Sequence, residues 1–174
     1  MRPTAPDLAG RRRHQVLDWT GLLVRLGLAA VWFTSGIAKA ADPLGTVVAV
    51  RAYRLLPETA VRPVAAAFPY LEIALGLLLL VGVATRLAAV ASGILLLVFI
   101  GGVISAAARG LAIDCGCFGG GGAVAVGRTR YTAEILRDAG FLVLAGYLTW
   151  RPRSALSVDG WAVARSRDAP VERA

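Results

Sequence analysis

The sequence predicts an all-α integral membrane protein: a four-helix bundle with both termini inside and a short interfacial helix in the first outer connection. Two observations carry this. Of 174 residues, 57% are hydrophobic and only 17% are charged, whereas a soluble domain of this size carries about a quarter charged residues. Four apolar stretches also approach the roughly 20 residues needed to cross about 30 Å of hydrocarbon.

These stretches are residues 19–40, 64–84, 87–108 and 131–150. The third carries no charge, and the fourth holds Glu134, Arg137 and Asp138 in its first turns. Residues 1–17 are polar, with Arg11, Arg12 and Arg13 just before the first apolar run. A signal peptide starts in this way, but the run is too long and no small-residue cleavage pattern ends it before Lys39. The expectation is a retained anchor behind a disordered cytoplasmic tail. The domain is then residues 18–150, and a second charged cytoplasmic tail, residues 151–174, follows the Arg151-Pro152-Arg153 stop.

Orientation follows the short connections. With the N-terminus inside, ten arginines lie on the cytoplasmic side, against Lys39 and six arginines on the other, and an excess of Lys and Arg marks the cytoplasmic face. That topology puts the loop between the third and fourth helices outside the cytoplasm of a bacterial cell, in its inner membrane. Within the first outer connection, Asp42-Pro43 reads as an N-cap with Pro in the first turn, and Pro57 closes the segment. The mixture of Val47, Val48, Val50, Tyr53, Leu55 and Leu56 with Arg51 and Arg54 suits a short helix in the interface, placed to roof the cysteine loop. A net charge of +8 raises nucleic acid as a partner. The arginines instead sit at the ends of apolar runs, without a basic face or interleaved aromatics, so no nucleic-acid partner is expected.

The chemistry centres on Asp114-Cys115-Gly116-Cys117-Phe118-Gly119, followed by three more glycines and holding the only two cysteines. A Cys-x-Cys pair closes too small a ring to staple distant parts of a fold. Bridging it demands a nearly extended backbone, which strains the bond and eases its reduction. Gly116 removes the Cβ that would crowd the ring. Three readings compete: thiol–disulfide exchange, metal binding, and an inert buried pair. Exchange needs a reachable thiolate, which Arg109, Arg128 and Arg130 would favour and Asp114 would oppose. A zinc site needs three or four ligands, and the outer loops offer no His, Met or further Cys, so no metal is expected. With a single pair, electrons taken from a partner protein must pass directly to a quinone or another partner, or the reverse.

Ionisable groups at bilayer depth need a partner or solvent. Arg25, about two turns into the first helix, is expected to snorkel to the cytoplasmic surface. Glu72 lies roughly 10 Å below the outer end of its helix at about 1.5 Å per residue and must be protonated or paired. Glu134, Arg137 and Asp138 share one face of the last helix, at matching depth. A cluster of Glu72, Arg137 and Asp138 beneath the cysteine loop follows, serving as interhelical glue, as a proton relay, or as both.

Four elements together resemble the MauE family of methylamine-utilisation proteins, related to DoxX-like membrane proteins. They are Tyr53-Arg54-Leu55-Leu56-Pro57, the Pro-x-x-Glu-x-x-x-Gly run from Pro69 to Gly76, Cys-Gly-Cys-Phe-Gly from Cys115, and Leu136-Arg137-Asp138. The resemblance covers about residues 18–150. It implies a redox-associated protein of extracytoplasmic disulfide chemistry, working with a thioredoxin-like partner of the kind that matures the disulfide-rich small subunit of methylamine dehydrogenase. By the same resemblance Cys115 and Cys117 are the redox pair, and Glu72, Arg137 and Asp138 support it. The expected function is thiol–disulfide exchange, as an oxidoreductase or its redox subunit. The alternatives are a non-catalytic scaffold for a redox partner or oxidase, and a small-solute transporter coupled through Glu72.

Overall fold

The computed structural model describes residues 5–125 and 127–152, the side chains of residues 5–14 excepted. It is mostly helical: α1 (Ala5–Ala41), α2 (Pro43–Ala52), α3 (Glu58–Val81), α4 (Thr85–Ala108) and α5 (Tyr131–Trp150). A ribbon of two-residue strands, β1 (Ile113–Asp114) and β2 (Gly122–Ala123), lies between α4 and α5. Helix α1 packs along α3 and α4 along α5, while α2 lies across α3 and against β2.

The helix boundaries follow local chemistry. The Asp42 side chain accepts from Gly45 N at 2.8 Å and Pro43 opens α2, as the sequence predicts. At the end of α3, Gly82 adopts φ 73°, and its N–H and that of Val83 both reach the Leu78 carbonyl. This left-handed close satisfies the helix C-terminus and turns the chain directly into α4. Two expectations are corrected. Helix α3 begins at Glu58 and runs through both Pro63 and Pro69. Helix α1 begins at Ala5, inside the stretch expected to be disordered; Pro6, in the first turn, lacks only an N–H that has no intrahelical partner there. The predicted tail beyond Pro152 lies outside the described residues.

Among the described residues, three helices are long and apolar enough to cross a membrane: Gln15–Ala41 within α1, then α3 and α4. Their outward faces carry exposed Leu23, Ile37, Leu77, Leu80, Leu87, Ile94 and Leu97. That pattern suits hydrocarbon rather than water as the solvent. The chain is a multi-pass membrane protein. Helix α5 has 20 residues and turns Glu134 and Asp138 inward, where both are buried.

The core joins Leu28, Ala29 and Trp32 of α1 with Leu75 and Leu79 of α3, Ala88, Leu95 and Leu96 of α4, and Ala145 and Leu148 of α5. Trp32 Nε1 donates to Ser92 Oγ at 2.8 Å, giving the buried indole its partner. Arg25 does not snorkel: it is 2% exposed. It stands at helical spacing from Leu22, Leu28, Ala29 and Trp32, on the face α1 turns to its neighbours, so its side chain is directed inward.

The link between α4 and α5 is built around the ribbon, whose register pairs Ile113 with Ala123 and Asp114 with Gly122. This pinches the chain at the neck of a seven-residue loop holding both cysteines. Helix α2 roofs it, as expected. A Cβ on Gly116 would stand 2.9 Å from Ala49 Cβ, and one on Gly121 only 2.8 Å. Both glycines also take positive φ, +68° and +98°, so each is required by conformation and by space. At Gly120, with φ +70°, an added Cβ meets nothing within 4 Å. Gly120→Ala should therefore cost about 1–2 kcal/mol through the left-handed backbone alone. Gly121→Ala should cost a further ~1–3 kcal/mol from overpacking. The added Cβ would meet Gly116 Cα at 2.7 Å as well as Ala49; thermal unfolding of the two variants in detergent measures the difference, and equal losses would mean that Gly121 is not held tightly between Gly116 and α2.

Candidate redox site

The two sulfurs are brought together by a turn rather than by an extended backbone. Gly116 sits at φ +68°, and Cys115 Sγ and Cys117 Sγ are 2.8 Å apart as free thiols. Only Gly adopts that φ without strain, so the residue between the cysteines also sets their approach. Both side chains are buried at 9% exposure beneath α2.

Lys39 is the centre of the polar support. Its Nζ donates to Glu72 Oε1 at 2.8 Å, Glu72 Oε2 at 3.0 Å, Ser35 Oγ at 2.6 Å and the Cys117 carbonyl at 3.0 Å. Ser35 Oγ also donates to that carbonyl. Ser35 and Lys39 are one helical turn apart on α1, so both reach the same point. Glu72 is completely buried and lies on the facing side of α3. The helices approach closely because α1 carries Gly36 there: a Cβ on it would meet Ile73 Cγ1 at 2.8 Å and the Pro69 carbonyl at 2.9 Å.

Arg137 supports the other cysteine. Its Nε donates to Asp138 Oδ1 at 2.9 Å and its Nη2 reaches Cys115 Sγ at 3.7 Å. The guanidinium also lies over the Phe118 ring, 4.8 Å from the centroid. Tyr53 OH, at the end of α2, donates to the Cys115 carbonyl at 3.2 Å. Arg109 donates to the Tyr53 and Arg54 carbonyls and so fastens that end of α2.

The expected single cluster of Glu72, Arg137 and Asp138 is thus two clusters. Lys39 takes up Glu72 on one side of the loop, and Arg137 with Asp138 holds the other. Of the four arginines that could have met a sulfur, Arg137 does so and Arg109 is engaged on backbone carbonyls. Lys39 and Ser35 were missed because Lys39, at the outer end of the first apolar run, reads only as a charge on the outer side. The available signal was that this is the chain's only lysine, four residues after a serine on the α1 face that carries Trp32.

The surroundings separate the two thiols. The Cys117 thiol donates to Cys115 Sγ, and the Cys117 N–H (3.3 Å) and Arg137 add further donors. Together they hold Cys115 below the ordinary thiol range despite burial. Cys117 is pushed up, because its proton is held by the Cys115 sulfur, burial disfavours its anion, and a Cys115 thiolate repels it. Of the pair, Cys115 is therefore the thiol that ionises first and Cys117 the one that keeps its proton. Asp114, Cys115 and Glu134 also bring their donor atoms within 4.8 Å of one another, a grouping that counting His, Met and Cys could not reveal. Three donors fall short of a closed tetrahedral set, and the Arg137 cation adjoins the same sulfur.

A family model, methylamine utilisation protein MauE, matches residues 17–151. The chain belongs to the MauE family. No curated protein and no solved structure matches it. The MauE match takes in α1 from its first apolar turns, the roofing helix, both polar clusters and the cysteine loop.

Two predictions follow from the geometry. Arg137→Gln should move the midpoint of Cys115 alkylation to higher pH and slow labelling near pH 7 several-fold, measured as the rate of iodoacetamide modification against pH. Lys39→Met should destabilise the protein by about 3–5 kcal/mol, because it leaves Glu72 as an uncompensated buried charge. The double variant Lys39→Met, Glu72→Leu should recover much of that loss in thermal unfolding.

Proposed function

We propose that this MauE-family protein exchanges electrons with an extracytoplasmic thioredoxin-fold protein through Cys115 and Cys117, as a membrane thiol–disulfide oxidoreductase or its redox subunit. In this reading α5 is the fourth crossing of the bacterial inner membrane. The N-terminus lies inside and the cysteine loop outside, where a disulfide persists. The observation that carries it is the pair itself: two sulfurs 2.8 Å apart, one favoured as thiolate and the other holding its proton. The family description adds methylamine utilisation as the setting, in which a disulfide-rich dehydrogenase subunit is the client.

The asymmetry of the pair assigns the steps. When the loop is a disulfide, the sulfur of lower pKa leaves more readily. A partner's thiolate thus attacks Cys117, and Cys115 departs as the thiolate stabilised by Arg137. The partner's second thiol then displaces Cys117, leaving this chain with the dithiol and the partner with the disulfide; the reverse transfer retraces the same path. Lys39 and Ser35 hold the Cys117 carbonyl throughout, which keeps its sulfur beside Cys115.

Burial of both sulfurs under α2 favours one other reading, a scaffold that docks a redox partner and uses the pair for regulation. The test is a mixed disulfide. Oxidised protein is incubated with an extracytoplasmic thioredoxin-fold protein reduced to one active-site cysteine, then resolved without reductant and mapped by mass spectrometry. An adduct at Cys117 is expected, absent from Cys117→Ser. An adduct at Cys115 overturns the step assignment. Absence of any adduct, with partner function intact in Cys115→Ser, Cys117→Ser, leaves the scaffold.

A further inference from the structure

A cavity of about 240 Å³ lies between α2, α3 and α4, and the cysteine loop forms one of its walls. Cys115, Gly116 and Cys117 line that wall, with Lys39 and Tyr53 beside them. The remaining lining is apolar, including Val64 and Phe68 of α3 and Phe99 of α4. Phe68 and Phe99 meet edge to face, with centroids 5.7 Å apart. Leu55 and Val98 also line the space and are 54% and 56% exposed. Val98 shares its side of α4 with exposed Ile94 and Leu97, so this end of the cavity opens towards the surface that faces hydrocarbon.

We propose that this cavity binds the head of a membrane quinone, which accepts the two electrons of the Cys115–Cys117 dithiol. The inference rests on the thiol–disulfide reading above. A single pair turns over only if a second reactant restores it. A water-soluble acceptor would need a polar mouth open to solvent, whereas this one is flanked by exposed leucine and valine. A quinone has the complementary chemistry: a flat ring to lie against Phe68 and Phe99, an apolar tail to leave past Val98, and carbonyl oxygens for the cysteine end.

The step balances. Cys115, as thiolate, gives up an electron pair as the sulfur–sulfur bond to Cys117 closes. Two electrons pass to the quinone. The Cys117 proton goes to one quinone oxygen, and the proton released earlier by Cys115 reaches the other through solvent, giving the quinol. The dithiol is thereby oxidised, and the loop is ready to take electrons from the partner protein.

The experiment uses the full chain in detergent, reduced with dithiothreitol and desalted. Two quinones are offered, decylubiquinone and a 2-methyl-3-alkylnaphthoquinone, whose fully substituted rings resist covalent addition of thiols. Quinol absorbance and maleimide-reactive thiols are followed together, and oxidation by glutathione disulfide is measured in parallel. One quinol per dithiol is expected from at least one quinone, and none from Cys115→Ser, Cys117→Ser. Val98→Trp and Leu55→Trp, at two exposed lining positions, should slow quinone reduction at least tenfold while oxidation by glutathione disulfide stays within twofold. A dithiol that glutathione disulfide oxidises but neither quinone does overturns the cavity assignment and leaves the exchange reading intact. Unchanged quinone rates in both tryptophan variants overturn it as well, as does a co-purifying phospholipid chain that quinone does not displace. A dithiol inert to every oxidant removes the exchange reading and the quinone with it.

Discussion

The Lys39–Glu72 ion pair is the contact on which the site's geometry depends. Glu72 is fully buried, and the Lys39 side chain is 9% exposed. A carboxylate at that depth without a cation would be protonated or strongly unfavourable. Lys39 neutralises it, and its three N–H donors are shared among both Glu72 oxygens, Ser35 Oγ and the Cys117 carbonyl. One ammonium thereby joins α1, α3 and the cysteine loop. The close approach this requires exists because Gly36 lets α1 settle against the Pro69 carbonyl and Ile73. A larger side chain there would part the helices and lengthen every bond that Lys39 makes.

Position and reactivity are handled by different groups. Lys39 and Ser35 grip Cys117 through its backbone carbonyl, which sets where the sulfur sits, and the Lys39 charge is the weakest of the influences on the thiol itself. Arg137 approaches Cys115 at the sulfur, where its charge acts directly on the thiolate. Two similar cysteines one residue apart thus acquire opposite characters. Asp138 and Phe118 hold the guanidinium in place by a charge-assisted hydrogen bond and a cation–π contact. Asp114, exposed beside the pair, instead accepts from Gly116 N at 3.1 Å and braces the turn.

Much of this was legible in the sequence, and the remainder was withheld for definite reasons. Apolar runs, an Asp-Pro cap and the only two cysteines are local signals, and they located α2, α4, α5 and the loop closely. Side-chain direction is not local. Each residue turns a helix by about 100°, so whether Arg25 snorkels or Glu72 meets Lys39 rather than Arg137 depends on which faces pack together. Lys39, at the outer end of the first apolar run, entered only as a charge that orients the chain, whereas the α1 face it shares with Ser35 turns it towards Glu72. The ribbon escaped notice because two-residue strands leave no periodic pattern, and the turn at Gly116 because glycine permits an extended backbone and a left-handed one equally well.

The same roof that buries the cysteines gives them two distinct sides. Ala49 presses on Gly116 and Gly121, so α2 closes the loop from one direction and makes that direction the cavity of α3 and α4. Phe118, more than a third exposed, and Asp114, also exposed, lie outside the lining of that cavity, and Arg137 from α5 stands over the Phe118 ring. In the proposed reading, a protein partner too large to enter the cavity would meet the loop from the Phe118 side, and a small apolar reactant confined to the bilayer would reach it through the cavity. A dithiol in the wall between them would then exchange electrons with both, and one Cys-Gly-Cys loop would do what otherwise takes two dithiol centres.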